Sequence, residues 1–323
     1  MPAPGERPVV TGTLVAVRYP PEDWNHSMTT LPPRDRPARL AVGAIGAGRV
    51  GAVLAAALDR AGHSAVAVAA VSQASRRRAE ALVPEAQVLP PDEVAARADL
   101  LLLAVPDDVL PAIVNGLAAA DAVRAGTLVA HTSGAHGFHV LDPLTASGAL
   151  PMALHPVMTF TGTEVDLQRL AGACFGVTSP EQLRLAAEAL VIEMGSEPVW
   201  IEESDRAAYH AALAFGANNL VTLVAQSADL LREVGVESPM RLLGPLLGAA
   251  LDNALRRGDA ALTGPVARGD AGTVRAHLSV LPAPQVRAAY VAMSRLTADR
   301  ALAAGLLAVE DAESLLDVLA AEG

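Results

Sequence analysis

The chain has 323 residues with 24 basic and 35 acidic side chains, a net charge of −11, and every base is an arginine. The missing lysine excludes a lysine general acid or Schiff base, and the acidic balance argues against nucleic acid as a partner, because phosphate contacts need a basic surface. A composition 52% apolar and 18% charged supports a sizeable core, while the single cysteine, Cys174, excludes an intrachain disulfide and a cysteine-rich zinc site.

Residues 1–38 are proline-rich and without period, which reads as a mobile tail and not as a secretory signal; 9–17 is a candidate short strand. From Arg39 strands and helices alternate. Strands are expected at 40–45, 64–71, 86–89, 100–105, 127–131, 150–155, 173–178 and 198–201. Helices are expected at 49–61, 75–82, 91–97, 109–119 and 181–194. This spacing implies parallel βαβ units with right-handed crossovers. Beyond Ile201 only helices are expected, at 204–234, 239–256, 273–278, 284–305 and 310–319, with Ser204 and Asp205 available to cap the first. The fold class is therefore α/β: a Rossmann-type doubly wound parallel sheet at 39–202, followed by an all-helical domain at 203–323. The most apolar segment, 211–231, is broken by Asn218, Asn219, Gln226 and Asp229, so the chain reads as soluble and cytoplasmic, with no membrane partner.

The first strand runs into Gly46-Ala47-Gly48-Arg49-Val50-Gly51, a G-x-G-x-x-G at a strand-to-helix turn. Gly46 allows the tight turn, Gly48 lets backbone approach a pyrophosphate, and Gly51 lets the helix pack closely. The helix N-terminus adds N–H donors and the positive end of a dipole. An NAD enzyme would place an acid at the end of the second strand. Here that end reads Val71-Ser72-Gln73-Ala74-Ser75-Arg76, and Ser72, Ser75 and Arg76 suit the extra phosphate of NADP. Val105 and Pro106 close the strand at 100–105, at the crevice edge where dinucleotides lie in open sheets.

His131-Thr132-Ser133-Gly134 ends the next strand, and Thr132, Ser133 and Gly134 are candidates to bind a substrate carboxylate. His131, His136 and His139 lack a nearby acid and converging spacing, so no metal is expected. His155 follows the strand at 150–155. The helix at 204–234 carries Tyr209, His210, Asn218 and Asn219; His210 and Asn218 lie about 80° apart on a helical wheel. Unpaired amides and imidazoles are costly on an apolar helix, so they meet either a ligand or a neighbouring domain. Thr263 and Arg268, in a segment fixed by two glycines and a proline, offer a donor and a cation; Arg268 either clips to Asp270 or holds an acidic substrate.

The segments GAIGAGRVG, LLLLAVPDD, HTSGAHG, LHPVMTF, YHAALAFGANNL and LTGPVARGDAGTVRAHL resemble those of Rossmann-like proteins with a C-terminal domain of the DUF2520 type. The resemblance spans most of the chain past the tail. It implies a NADP-binding sheet domain and a helical domain similar to those of 6-phosphogluconate dehydrogenase and ketopantoate reductase, which often form homodimers. It further implies an NADPH-dependent reductase of a small 2-oxo acid, with ketopantoate leading. An imine reductase similar to pyrroline-5-carboxylate reductase and a non-catalytic NADP-binding regulator are the alternatives. Hydroxyacid dehydrogenases place a lysine four residues before an asparagine; here Asn218 is preceded at that distance by Ala214. His210 is then the first choice as proton donor, with Tyr209 and His155 next and Asn218 orienting the substrate. Asn219, Thr263 and Arg268 join the substrate-binding candidates.

Overall fold

A computed structural model describes residues 39–321. The expected tail at 1–38 and strand at 9–17 lie outside them. The sheet half runs β1 (Ala41–Ile45), α1 (Arg49–Arg60), β2 (Ser64–Ala69), α2 (Gln73–Leu82), β3 (Gln87–Val88), α3 (Pro91–Arg97), β4 (Leu100–Leu103), α4 (Leu110–Ala119), β5 (Leu128–His131), α5 (Asp142–Thr145), β6 (Leu150–Pro156), α6 (Glu164–Leu170), β7 (Cys174–Thr178), α7 (Arg184–Glu193) and β8 (Glu197–Trp200). The eight strands are ordered β3-β2-β1-β4-β5-β6-β7-β8. The first six are parallel, so their carboxyl ends share one edge, where β1 hands over to β4. The expectation of parallel units throughout fails once: β7 runs antiparallel to β6, while β8 is parallel to β7.

The strands are apolar because helices bury them on both faces. One face packs Val53 and Leu54 of α1, Ala79 of α2, Leu170 of α6 and Leu190 of α7. The other packs Val94 of α3, Val114 of α4 and Leu144 of α5. Small side chains allow close approach: a Cβ on Gly43 of β1 would stand 2.9 Å from Val94 Cγ1.

Beyond β8 come α8 (Arg206–Leu213), α9 (Asn219–Glu233), α10 (Pro239–Arg257), α11 (Ala271–Val280), α12 (Pro284–Ala303) and α13 (Val309–Ala320). The single helix expected at 204–234 is interrupted: Ala214–Asn218 forms a π-helical turn between α8 and α9. Asp205 does not cap α8 through its side chain; Ser204 Oγ donates to it instead. The bundle α11–α13 has its own core of Val274, Leu278, Val291, Ala298 and Leu315, to which no residue of the sheet half contributes. No helix among the described residues is long and apolar enough to cross a membrane.

Candidate active site

The glycine turn is built as its spacing requires. Gly46 has φ +97°, and a Cβ on it would collide with the Ala104 carbonyl past the end of β4. A Cβ on Gly51 would overlap the Gly46 carbonyl, so α1 starts against its own turn. Gly48, the N-cap of α1, meets no atom closer than 4.0 Å. No side chain caps α1 and no acid lies in its first turn, so its leading N–H groups remain available to an anion. Ala47 is buried, whereas Arg49 is exposed and Val50 half-buried. The cradle therefore fits a dinucleotide pyrophosphate.

At the end of β2, Ser72 is the N-cap of α2 and its Oγ accepts the Ser75 N–H at 3.1 Å. Ser75 is buried and donates to the Ser72 carbonyl at 2.7 Å, so its hydroxyl serves the cap and is not turned toward a phosphate. Arg76 is exposed at the start of α2. An arginine outside the expected set reaches the turn: Arg78 Nη1 donates to the Ala47 carbonyl at 3.3 Å. A Cβ on Gly162, in the loop after β6, would crowd Arg49 and Arg78, so this loop lies against both guanidinium side chains. Asp166 holds the loop, accepting the N–H groups of Thr161 and Gly162 at 2.8 and 2.6 Å. Val105 packs its Cγ1 toward Gly46, and Pro106 is exposed at the crevice edge.

Farther along the same strand edge, three strands from β1, the ends of β5 and β6 and helix α8 bring together His155, Tyr209 and His210. His155 Nδ1 lies 2.8 Å from the Tyr209 hydroxyl. The His155 ring meets the Tyr209 and His210 rings edge to face, each at 5.7 Å between centroids. Gly134 lies under both imidazoles: a Cβ there would stand 2.5 Å from His210 Cδ2 and 3.0 Å from His155 Nε2. Burial, reinforced by the nearby charges of Arg206 and His210, lowers His155 from 6.5 to about 4. It is therefore neutral near pH 7. Burial raises the Tyr209 hydroxyl above its ordinary value.

Two residues without a signal in the sequence build this site. Arg206 is buried and donates to three carbonyls: from Nε to His136 at 2.8 Å, from Nη1 to Gly176 at 3.1 Å and from Nη2 to Ser133 at 2.7 Å. Glu203 accepts the N–H groups of Phe138 and His139 at 2.9 and 3.2 Å. Together they fasten α8 to the loop after β5. Two of that loop's histidines are held by hydrogen bonds. His131 Nε2–H donates to the Gly137 carbonyl at 2.8 Å and Nδ1 accepts the Ser133 N–H at 3.2 Å, while His139 pairs with Asp142 in solvent.

The substrate candidates separate. Thr132 and Gly134 lie at this crevice, but Ser133 is buried and its Oγ accepts the His136 N–H at 3.1 Å. The wheel angle also changes. One extra residue in the π turn removes about 100°, leaving His210 and Asn218 within about 20° of one line, and such turns are frequent at functional sites. Asn218 and Asn219 are exposed. Thr263 and Arg268 are not part of the crevice in this chain: they stand exposed on the loop before α11, whose neighbours belong to the bundle core. The clip between Arg268 and Asp270 does not form either, as Asp270 caps α11 through Thr273.

A glycine turn at the strand-order switch of a parallel sheet, followed in the chain by a helical half, defines a Rossmann-type nucleotide-binding protein. The comparisons narrow this. Residues 28–156 match the Rossmann-like domain and residues 173–297 match a domain of unknown function, DUF2520. The chain belongs to the family that joins these two domains. Among solved structures it is similar to a Bacteroides fragilis protein provisionally named an NADP oxidoreductase, with 23% identity, 81% of this chain and 98% of that chain covered, and a TM-score of 0.68. It is also similar to protein TM1727 from Thermotoga maritima, at 20% identity, 81% and 99% coverage and a TM-score of 0.61. A third is the pyrroline carboxylate reductase of Plasmodium falciparum, solved with NADP, at 12% identity, 82% and 97% coverage and a TM-score of 0.53. No curated protein matches the chain.

Proposed function

We propose that the protein is an NADPH-dependent oxidoreductase of a small 2-oxo or cyclic imino acid, with the cofactor half at 39–202 and a helical substrate and dimerisation half at 203–323. The observation that carries this reading is the open, uncapped N-terminus of α1 at Gly48, on the same carboxyl edge of the parallel strands as the His155–Tyr209–His210 cluster. Gly46, Gly48 and the first N–H groups of α1 would hold the pyrophosphate, and Ser72, Arg76 and Arg78 the extra phosphate. NADPH supplies a hydride when bound.

The chain's own residues favour the imine over ketopantoate. Reducing a carbonyl requires a proton at oxygen as well as a hydride. Reducing a protonated cyclic imine requires no further proton, because hydride addition gives a neutral amine. Within the crevice, His155 is neutral and Tyr209 is tied to it, so only His210 is positioned as an acid. An imine substrate accommodates this shortage and the missing lysine. The reductases of pyrroline-5-carboxylate from Coxiella burnetii and Streptococcus pyogenes share the fold with TM-scores of 0.50 and 0.55, which adds to that reading. In both cases His155 and Tyr209 orient the roof of the crevice and His210 faces the substrate with Asn218.

Absorbance of NADPH, followed with a panel of cyclic imino acids and 2-oxo acids including ketopantoate, tests the proposal. Turnover of an imino acid at least about tenfold faster than any 2-oxo acid is expected. Saturable NADPH binding without turnover of either class would instead leave a cofactor-binding regulator.

A further inference from the structure

A carboxylate stands between the glycine turn and the histidine cluster with no partner in the chain. β4 lies between β1 and β5. Leu103, at its end, pairs with Ile45 on one side and His131 on the other, and its carbonyl accepts the Thr132 N–H at 3.1 Å. The loop that follows, residues 104–109, therefore leaves the sheet midway along the crevice. Asp107 is half-buried in this loop, while Pro106 and Asp108 on either side of it are exposed.

Acids just ahead of a helix commonly serve as caps. Asp107 does not: no side chain caps α4, and the N–H groups of Val109 and Leu110 both go to the Pro106 carbonyl, at 3.0 and 3.1 Å. Among the described residues, no hydrogen bond or ion pair reaches the Asp107 carboxylate. The groups that feel its charge are His131 and His155, at the ends of β5 and β6, and Arg206 of α8; it favours the protonated form of each. Burial outweighs it at both imidazoles, which are neutral near pH 7. His131 is engaged by the Gly137 carbonyl and the Ser133 N–H, and His155 by Tyr209. Arg206 donates from Nε, Nη1 and Nη2 to three carbonyls. The other acid near Arg206, Glu203, is satisfied by the N–H groups of Phe138 and His139. Asp107 is thus the acid of this crevice left without a donor.

A partly buried carboxylate without a partner is costly, and a cation supplied by a ligand removes that cost. Among the described residues no three His, Cys, Asp or Glu side chains converge as metal ligands. A protonated nitrogen fits a single carboxylate better, through a charge-assisted hydrogen bond. We propose that Asp107 is the counter-ion for a protonated nitrogen on the substrate, and that it selects a cationic imino acid over a 2-oxo acid. That a substrate is what binds there rests on the reductase reading; a cation-binding carboxylate at Asp107 does not. Hydride addition to a protonated imine consumes its positive charge, so Asp107 acts chiefly on binding. Hydride addition to a carbonyl places negative charge on oxygen, which a nearby carboxylate repels.

Asp107→Asn keeps the shape of the side chain and removes its charge. NADPH oxidation is followed on the best cyclic imino acid and the best 2-oxo acid. For the imino acid, KM is expected to rise about tenfold or more, with kcat within about threefold. For the 2-oxo acid, kcat/KM is expected to hold or rise. Equal losses on both classes overturn the proposal, because a residue that only supports the loop would give them. The same KM shift in Asp108→Asn, the exposed neighbour, also overturns it, since surface charge would then suffice. Calorimetry reads the site without turnover, on protein saturated with NADP. The probes are pyrrolidine-2-carboxylate and cyclopentanecarboxylate, two rings that differ in the charged nitrogen. The wild type and Asp107→Glu are expected to prefer the first by about tenfold, and Asp107→Asn to bind both within about twofold. A wild type without this preference, an Asp107→Asn protein that keeps it, or no binding of pyrrolidine-2-carboxylate at millimolar concentration overturns the proposal. If the wild type reduces neither class, the reductase reading has failed separately, and the two probes still decide whether Asp107 binds a cation.

Discussion

The Tyr209 hydroxyl stands 2.8 Å from His155 Nδ1, so the first helix beyond the sheet is hydrogen-bonded to β6, the last strand of the parallel run. Gly176 of β7 leaves the room: a Cβ there would overlap the phenol. The bond therefore joins β6, β7 and α8 at one point, next to the guanidinium of Arg206.

Tyr209→Phe removes the hydroxyl and leaves His155 Nδ1 without that partner. A loss of about 1–2 kcal/mol in stability is expected, with NADPH affinity unchanged because the glycine turn is not involved. Thermal unfolding with and without NADPH checks both parts. A variant as stable as the wild type would show that the bond contributes nothing net to folding.

His210→Gln separates the two substrate classes. If a carbonyl is reduced, losing the acid should lower kcat by about 10²-fold while NADPH binding persists. If the substrate is a protonated imine, the same change should cost about tenfold or less, since only packing and orientation are lost. Steady-state kinetics on the best substrate of each class, with calorimetry for NADPH, gives the answer. A variant unchanged on both classes would remove His210 from the chemistry.

His131 gives a pH signature to stability. It is wholly buried with both ring nitrogens engaged, and burial lowers it from 6.5 to about 4. Between those values the unfolded chain binds more protons than the folded one, so stability rises with pH across that window. The contribution is full above about pH 6.5 and shrinks as pH falls toward 4, by about 3 kcal/mol for this residue. His155, lowered to about 4 mainly by burial, acts in the same direction. Denaturant midpoints measured between pH 7 and 4 should fall steadily. His131→Gln should be less stable at pH 7 yet lose less on acidification; an unaltered slope would assign the acid sensitivity to other groups.

The glycine turn, the strand–helix alternation and the cluster of His155, Tyr209 and His210 were legible because each follows from a local rule: a fingerprint, a hydrophobic period, or a polar group on an apolar helix. The π turn at Ala214–Asn218 was not, since Ala-Phe-Gly-Ala-Asn continues an α pattern and the inserted residue appears only in the hydrogen bonding. Nor was the antiparallel β7, because the Thr163–Asp166 capping box that starts α6 offers no clue to the direction of the next strand. Arg206 reads as an ordinary charge near a helix start. Its burial depends on three carbonyls from β7 and the loop after β5, brought together only by the tertiary fold. Thr263 and Arg268 looked like site residues by type, but their neighbours belong to the bundle.

Arg78 is expected to set cofactor preference, because its guanidinium is anchored on the Ala47 carbonyl at the mouth of the turn. Arg78→Ala should weaken NADPH binding about tenfold, the loss of one charge-assisted contact, and change NADH by no more than about twofold. Titration calorimetry with both cofactors makes the comparison. Equal losses for the two would mean that Arg78 only supports the turn and does not read the extra phosphate.

Gly48 and Gly51 differ in a way that isolates the pyrophosphate site. Alanine at Gly51 would force its methyl into the Gly46 carbonyl and toward Ala104 Cβ, so α1 must shift from the sheet. A loss of about 2 kcal/mol or more is expected, together with cofactor binding. Alanine at Gly48 meets nothing nearer than 4.0 Å, and φ there is −73°, which any residue adopts. Gly48→Ala should therefore fold with wild-type stability, within about 0.5 kcal/mol. Its methyl would instead occupy the space through which a pyrophosphate reaches the first N–H groups of α1, weakening NADPH at least about tenfold. The pair is read by thermal unfolding without cofactor and by calorimetry with NADPH. A Gly48→Ala protein that folds normally and binds NADPH as tightly as wild type would show that no phosphate rests on this turn.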